Sequence, residues 1–316
     1  MTDTEIAEEA RVELTDAAWL DLIRRLNHQS VHKHFDAFAD IDWDSDELHL
    51  DPEDPRWELA DDPICKTAWY QALPATTRAR LGCEMTASKM KSGLQFENIL
   101  KRGLLEYAFK LPNNSPEFRY AYHEVIEEAQ HGLMFHEFVN RSGYDPNGLG
   151  AIDKFGARAV NGFARWFPEL FFIFVLGGED PIDHVQRRAL RRGEKHPLKE
   201  RIMRIHVTEE ARHLSFARHF LKRAVPALSR PKQAALAIGA PLVLAVMADM
   251  MLKPSRQLIE RYSIPAEVIA EAYDDNPGHK AATAESLAKV RSLCDELGLL
   301  RAPFGRLWSL LGLVAR

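Results

Sequence analysis

His206-Val207-Thr208-Glu209-Glu210-Ala211-Arg212-His213 lies in a run from Arg201 to Ala224 that contains neither Gly nor Pro. At about 100° per residue on a helix, Glu210 falls roughly 40° from His206 and His213 roughly 20° to its other side, so three metal-capable groups share one stripe. A second Glu-x-x-His, Glu128 to His131, occurs in Tyr122-His123-Glu124-Val125-Ile126-Glu127-Glu128-Ala129-Gln130-His131. A pair of such motifs, with one Glu from each of two other helices, is the ligand pattern of di-metal carboxylate bundles.

The two further glutamates follow from spacing. Glu97, in Gly93-Leu94-Gln95-Phe96-Glu97, precedes Glu128 by 31 positions, and Glu179, in Gly177-Gly178-Glu179-Asp180, precedes Glu210 by 31. Helix breakers sit near the middle of each interval: Leu111-Pro112-Asn113-Asn114-Ser115-Pro116 in one, Arg192-Gly193-Glu194-Lys195-His196-Pro197 in the other. Each interval reads as an outgoing helix, a short turn and a helix returning to the same level. With 13 His in the chain, about one Glu-x-x-His is expected by chance. Placement argues more than number, because each motif falls mid-helix in an apolar setting where a lone Glu would be costly.

The fold class expected is all-α: a four-helix bundle with additional packed helices. Residues 1–60 read as a lead-in packed on the bundle, with one early helix from Asp16 to Asn27 and acidic turns that cap and face solvent around Trp43 and Trp57. Residues 61–225 hold the bundle, and 226–316 supply further helices of the same domain. A long connection is expected from Tyr144 to Ala159, followed by an aromatic run from Phe163 to Leu176 that fills the core and helps exclude water, with walls that a flat organic substrate could share. Residues 303–316 are apolar enough to dock on the domain or on a second subunit.

Composition narrows the function classes. The chain of 316 residues, 46% hydrophobic, can bury a sizeable core, and its net charge of −5 gives no electrostatic reason to expect nucleic acid. Cys65, Cys83 and Cys294 are far apart and include no C-x-x-C, so neither a disulfide framework nor a thiolate zinc site is indicated. The acidic start Met1–Glu5 lacks the pattern of a secretory signal, and a cytoplasmic location is expected. Ala234–Leu252 is apolar enough to approach a membrane span, but Pro241 and Asp249 interrupt it, and a core helix is the reading adopted.

Oxygen and imidazole donors without thiolate suit iron or manganese, and Glu carboxylates can bridge two such ions. His206 is the asymmetric element: its counterpart before Glu128 is Glu124. On spacing alone it is either a further ligand or a residue hydrogen-bonded to one. Asp183, Glu124 and Arg212 are candidates for the latter role, while His123, His136, His184 and His219 read as packing or surface groups. The basic stretch Arg187, Arg188, Arg191, Arg192, Lys195, Lys199 and Arg201 reads as a solvated turn, with docking of an acidic electron carrier as the alternative.

Phe96-Glu97, Glu127-Glu128-Ala129-Gln130-His131, Gly178-Glu179 and His206-x-x-x-Glu210-x-x-His213, together with the lead-in Asp42-Trp43 and Asp54-Pro55-Arg56-Trp57, resemble the p-aminobenzoate N-oxygenase (AurF-like) family over the chain to about residue 225. The resemblance implies a ferritin-like bundle and a homodimer. It implies that Glu97, Glu128, His131, Glu179, Glu210, His213 and the additional His206 hold two iron ions, with manganese as a variant. It further implies O₂ as co-substrate, an external electron donor, either a protein or a small reductant, and an arylamine oxidised towards hydroxylamine, nitroso or nitro. No catalytic residue beyond the metal ligands is expected. Alternatives with the same metal chemistry are a hydroxylase or acyl desaturase-like oxidase, and a non-catalytic metal-binding protein.

Overall fold

The computed structural model describes residues 16–301 and 303–313. Met1–Glu5, on which the reading of the N-terminus rests, lies outside them. The main helices are α1 (Asp16–His32), α2 (Ala75–Ala108), α3 (Pro116–Ser142), α4 (Ala151–Trp166), α5 (Pro168–Arg192), α6 (Pro197–Ala224), α7 (Arg230–Leu252), α8 (Pro277–Ser286) and α9 (Ala288–Glu296). Among the described residues there is no β-strand, and the fold is an all-α, ferritin-like bundle. It is built on two hairpins, α2 with α3 and α5 with α6.

The hairpins end where local chemistry demands it. Pro116, Pro168 and Pro197 each occupy the first turn of a helix, where a missing N–H is no loss. Gly143 closes α3 at φ 67°, a left-handed conformation that a side chain would strain. Two other glycines serve close packing. A methyl at Gly103 would overlap the ring of Phe171, and one at Gly178 would overlap the ring of Phe96. α2 and α5 are thus drawn together beside Glu97 and Glu179.

Two expectations are corrected. Residues 151–159 are not part of a connection but the first half of α4, so the linker after α3 covers only 143–150. Gly148 and Gly150 mark the loop, whereas Ala151-Ile152-Asp153-Lys154-Phe155 carries no breaker and starts the helix. The aromatic run also does not fill the core along its whole length. Pro168, which cannot continue a helical hydrogen-bond ladder, separates α4 from α5 at Phe167. Phe171, Phe172 and Phe174 on α5 are buried, whereas Phe163 and Trp166 on α4 are exposed.

Two apolar clusters fill the interior. One joins α1, α2, α5, α6, α7 and α9, and Trp308 near the C-terminus inserts fully into it. The other joins the lead-in, through Ile41, Trp43, Trp57 and Ile64, to Met85, Met134 and Phe138 at one end of the first hairpin. The lead-in is extended but ordered. Asp36, Asp54 and Asp62 accept backbone N–H groups two residues ahead, and the Trp43 and Trp57 indoles donate to the carbonyls of Ala37 and Asp51.

α7 is long and apolar enough to cross a membrane by length and composition. It packs against α5, with Leu244 and Met247 over Gly177, buries Leu236 and Ala240, and leaves Ile238, Leu242 and Val246 exposed.

Candidate metal centre

Glu97 lies on α2, Glu128 and His131 on α3, Glu179 on α5, and His206, Glu210 and His213 on α6. All seven side chains are buried, and the bundle brings them together. Their ligand atoms form overlapping sets within 4.8 Å: Glu97 with His131 and His206, Glu128 with His131 and Glu210, and Glu179 with His206 and Glu210.

Glu128 and Glu210 occupy the middle. His131 Nδ1 is 3.2 Å from Glu128 Oε2 and 3.4 Å from Glu210 Oε1. His213 Nδ1 is 3.0 Å from Glu210 Oε1 and 3.1 Å from Glu128 Oε1. Each of these carboxylates therefore faces both imidazoles, the disposition of a group that can span two ions. His206 stands to one side, with Nε2 3.6 Å from Glu97 Oε1, 3.9 Å from Glu210 Oε1 and 4.0 Å from Glu179 Oε2.

Behind the imidazoles the hairpins brace each other. His131 Nε2 is 2.9 Å from Glu209 Oε2, and His213 Nε2 is 2.8 Å from Glu127 Oε2. A carboxylate accepts, so Nε2 donates to it, and Nδ1 is the nitrogen turned into the cluster. Arg212 joins the two braces, its Nη2 lying 2.9 Å from Glu127 Oε1 and 3.5 Å from Glu209 Oε1. The backbone N–H of Phe35, from the lead-in, donates to Glu209 at 3.0 Å.

Burial without water divides the acids into two kinds. Burial, reinforced by the charge of Glu128, pushes Glu97 well above the usual carboxylate range, and burial with the charges of Glu210 and Glu128 does the same to Glu179. Burial also acts on Glu128 and Glu210, but there it is outweighed: hydrogen bonding from Glu97 and the imidazoles of His213 and His131 hold Glu128 well down, and His213 chiefly holds Glu210 at about 2. His131 and His213 are raised despite burial because carboxylates surround them, whereas burial drives His206 down to about 4.

The donor set fits cations. Glu97 Oε2 and Glu210 Oε2 are buried, yet no hydrogen-bonding partner reaches them. Buried acceptors without donors are rare and costly, and divalent ions would satisfy several at once. Oxygen and imidazole without thiolate suit iron or manganese.

Other candidates from the sequence fall elsewhere. Asp183 pairs with Arg187 at 2.6 Å, Lys199 with Glu194 at 3.0 Å, Arg192 with Asp61, and Arg201 binds the Asp40 carbonyl. Much of the basic stretch is thus engaged within the chain. His123, His136, His184 and His219 are absent from the clustered sets. Glu127 and Glu209 were missed, although the doublets Glu127-Glu128 and Glu209-Glu210 displayed them. Each stands one turn before the histidine of its own helix, at the edge of the ligand stripe, yet acts on the opposite hairpin.

Comparison with known proteins agrees with this geometry. The family model described as P-aminobenzoate N-oxygenase AurF matches residues 16–298. Uncharacterized proteins of Mycobacterium tuberculosis and Mycobacterium bovis are each 40% identical to the chain over 298 residues, covering 93% of this chain and 87% of theirs. No solved structure gives a significant match.

Proposed function

The chain belongs to the p-aminobenzoate N-oxygenase AurF family, and from that membership and its buried carboxylate–imidazole cluster we propose that it is a non-haem di-iron mono-oxygenase that oxidises the nitrogen of an aromatic amine. The observation that carries the reading is the placement of Glu128 and Glu210 between the Nδ1 atoms of both His131 and His213.

Glu97, Glu128, His131, Glu179, His206, Glu210 and His213 would hold the two ions, with Glu128 and Glu210 central among them. Two iron ions supply the activation of O₂ and the redox equivalents for substrate oxidation. Glu127 and Glu209 keep His131 and His213 in the tautomer and orientation that present Nδ1. Phe96 and Phe174, with ring centroids 5.0 Å apart, wall off the Glu97 and Glu179 side and keep bulk water from it. Glu97 and Glu179 would release protons as metal binds. Electrons come from an external donor, either a protein or a small reductant.

The protein is read as a cytoplasmic homodimer, with α7 a packed helix rather than a span. Tyr122, Ile126 and Leu133 form an exposed apolar stripe on α3 that suits a second copy. Light scattering on the purified chain tests the dimer.

Metal-free protein is loaded with ferrous ion without oxygen, and bound iron is counted; two ions per chain are expected. The reduced protein is then given O₂ with an aminobenzoate-type arylamine or a fatty-acyl substrate, and products are weighed. An oxygenated nitrogen on the arylamine supports the proposal. Oxidation of the acyl chain alone, or no bound iron, overturns it.

A further inference from the structure

We infer that Glu124 is an eighth ligand of the di-metal centre, joining the ion held by Glu128 and His213; the inference rests on the di-iron reading above. Glu124 stands one helical turn before Glu128, as His206 stands one turn before Glu210. The hairpins cross so that each of these positions meets the imidazole of the other. The rings of His206 and His131 are 4.7 Å apart, and Glu124 shares with Glu128 and His213 a set of ligand atoms all within 4.8 Å of one another.

Glu124 is 1% exposed, and its Oε2 has no hydrogen-bonding partner. A buried carboxylate oxygen of this kind is stabilised by a cation or by a proton of its own. The neighbouring side chain one turn earlier, Tyr120, is fully buried and can offer only a single hydroxyl. Glu128 and His213 beside it would share that cation.

A chemical asymmetry follows. The end of the site nearest His206 gains an imidazole, while the end nearest Glu124 gains a hard, anionic oxygen donor. The ion at the Glu124 end is expected to bind first among hard divalent ions, and manganese to discriminate between the ends more strongly than softer metals do.

The test is a crystal structure of the full wild-type chain loaded with Mn(II), with ions located by anomalous scattering, and a stepwise Mn(II) titration of wild type and Glu124→Gln. A Glu124 oxygen about 2.0–2.3 Å from one ion is expected. Glu124→Gln is expected to weaken one of the two binding steps by about tenfold or more and leave the other unchanged. Two bound ions with Glu124 held off by a water, or two unaltered binding steps in the variant, would overturn the inference and spare the di-iron reading. Wild-type protein that binds neither ion would overturn both.

Discussion

The Nε2 atom of His131 on α3 lies 2.9 Å from Oε2 of Glu209 on α6, so an imidazole of one hairpin is oriented by a carboxylate of the other. Glu209→Gln preserves shape but weakens the acceptor and can present an amide N–H instead. Metal affinity is expected to fall by about 10- to 100-fold, measured by competition with a chelator, while helical content stays that of wild type. Affinity equal to wild type would show that the imidazole needs no brace.

Arg212 neutralises two buried carboxylates at once, Glu127 and Glu209. Arg212→Met removes the charge and leaves both acids without it, which is expected to cost about 3–5 kcal/mol of stability in the metal-free protein. Urea unfolding measures this. A loss below about 1 kcal/mol would mean that the histidines alone balance the pair.

Gly178 admits the ring of Phe96 against α5, one residue before Glu179. Gly178→Ala is expected to destabilise the protein by about 1–3 kcal/mol through overpacking, and the loss should shrink when combined with Phe96→Leu. A double-mutant cycle gives the coupling. Strict additivity would show that the two positions do not meet.

His196 is buried and stacked on Trp57 with centroids 3.8 Å apart, and burial lowers its pKa from 6.5 to about 4. A folded-state pKa below the unfolded one means the unfolded chain takes up the proton first. Its contribution to stability is therefore full above pH 6.5 and drains as pH falls towards 4, by a few kcal/mol in all. His196→Phe keeps the stack and cannot titrate, so its stability should gain on wild type between pH 7 and pH 4.5. Parallel unfolding midpoints across that range would count against the assignment.

Much of this architecture could be read from residue spacing. The equal intervals from Glu97 to Glu128 and from Glu179 to Glu210, each divided by Pro or Gly, gave two hairpins, and a period of 3.6 placed His206, Glu210 and His213 on one stripe. The bracing residues were less legible, because Glu127 and Glu209 lie at the edge of their own ligand stripe and their partners are imidazoles on a helix distant in sequence. The same limit hid the exposure of Phe163 and Trp166. Their aromatic character suggests burial, but α4 packs through Ala164 between them, and the core-filling rings follow only after the break at Phe167-Pro168. Such outcomes depend on how elements dock, which local periodicity does not encode.

The reciprocal bracing makes the two hairpins hostages to one another. A fragment containing only residues 75–142 would keep Glu128 and His131 yet lose the carboxylate that aims the ring, so half of the chain cannot amount to half of the site. Recruiting either hairpin into another protein would require its opposite number to travel with it, and an insertion that rotated one helix by a fraction of a turn would disarm histidines on both.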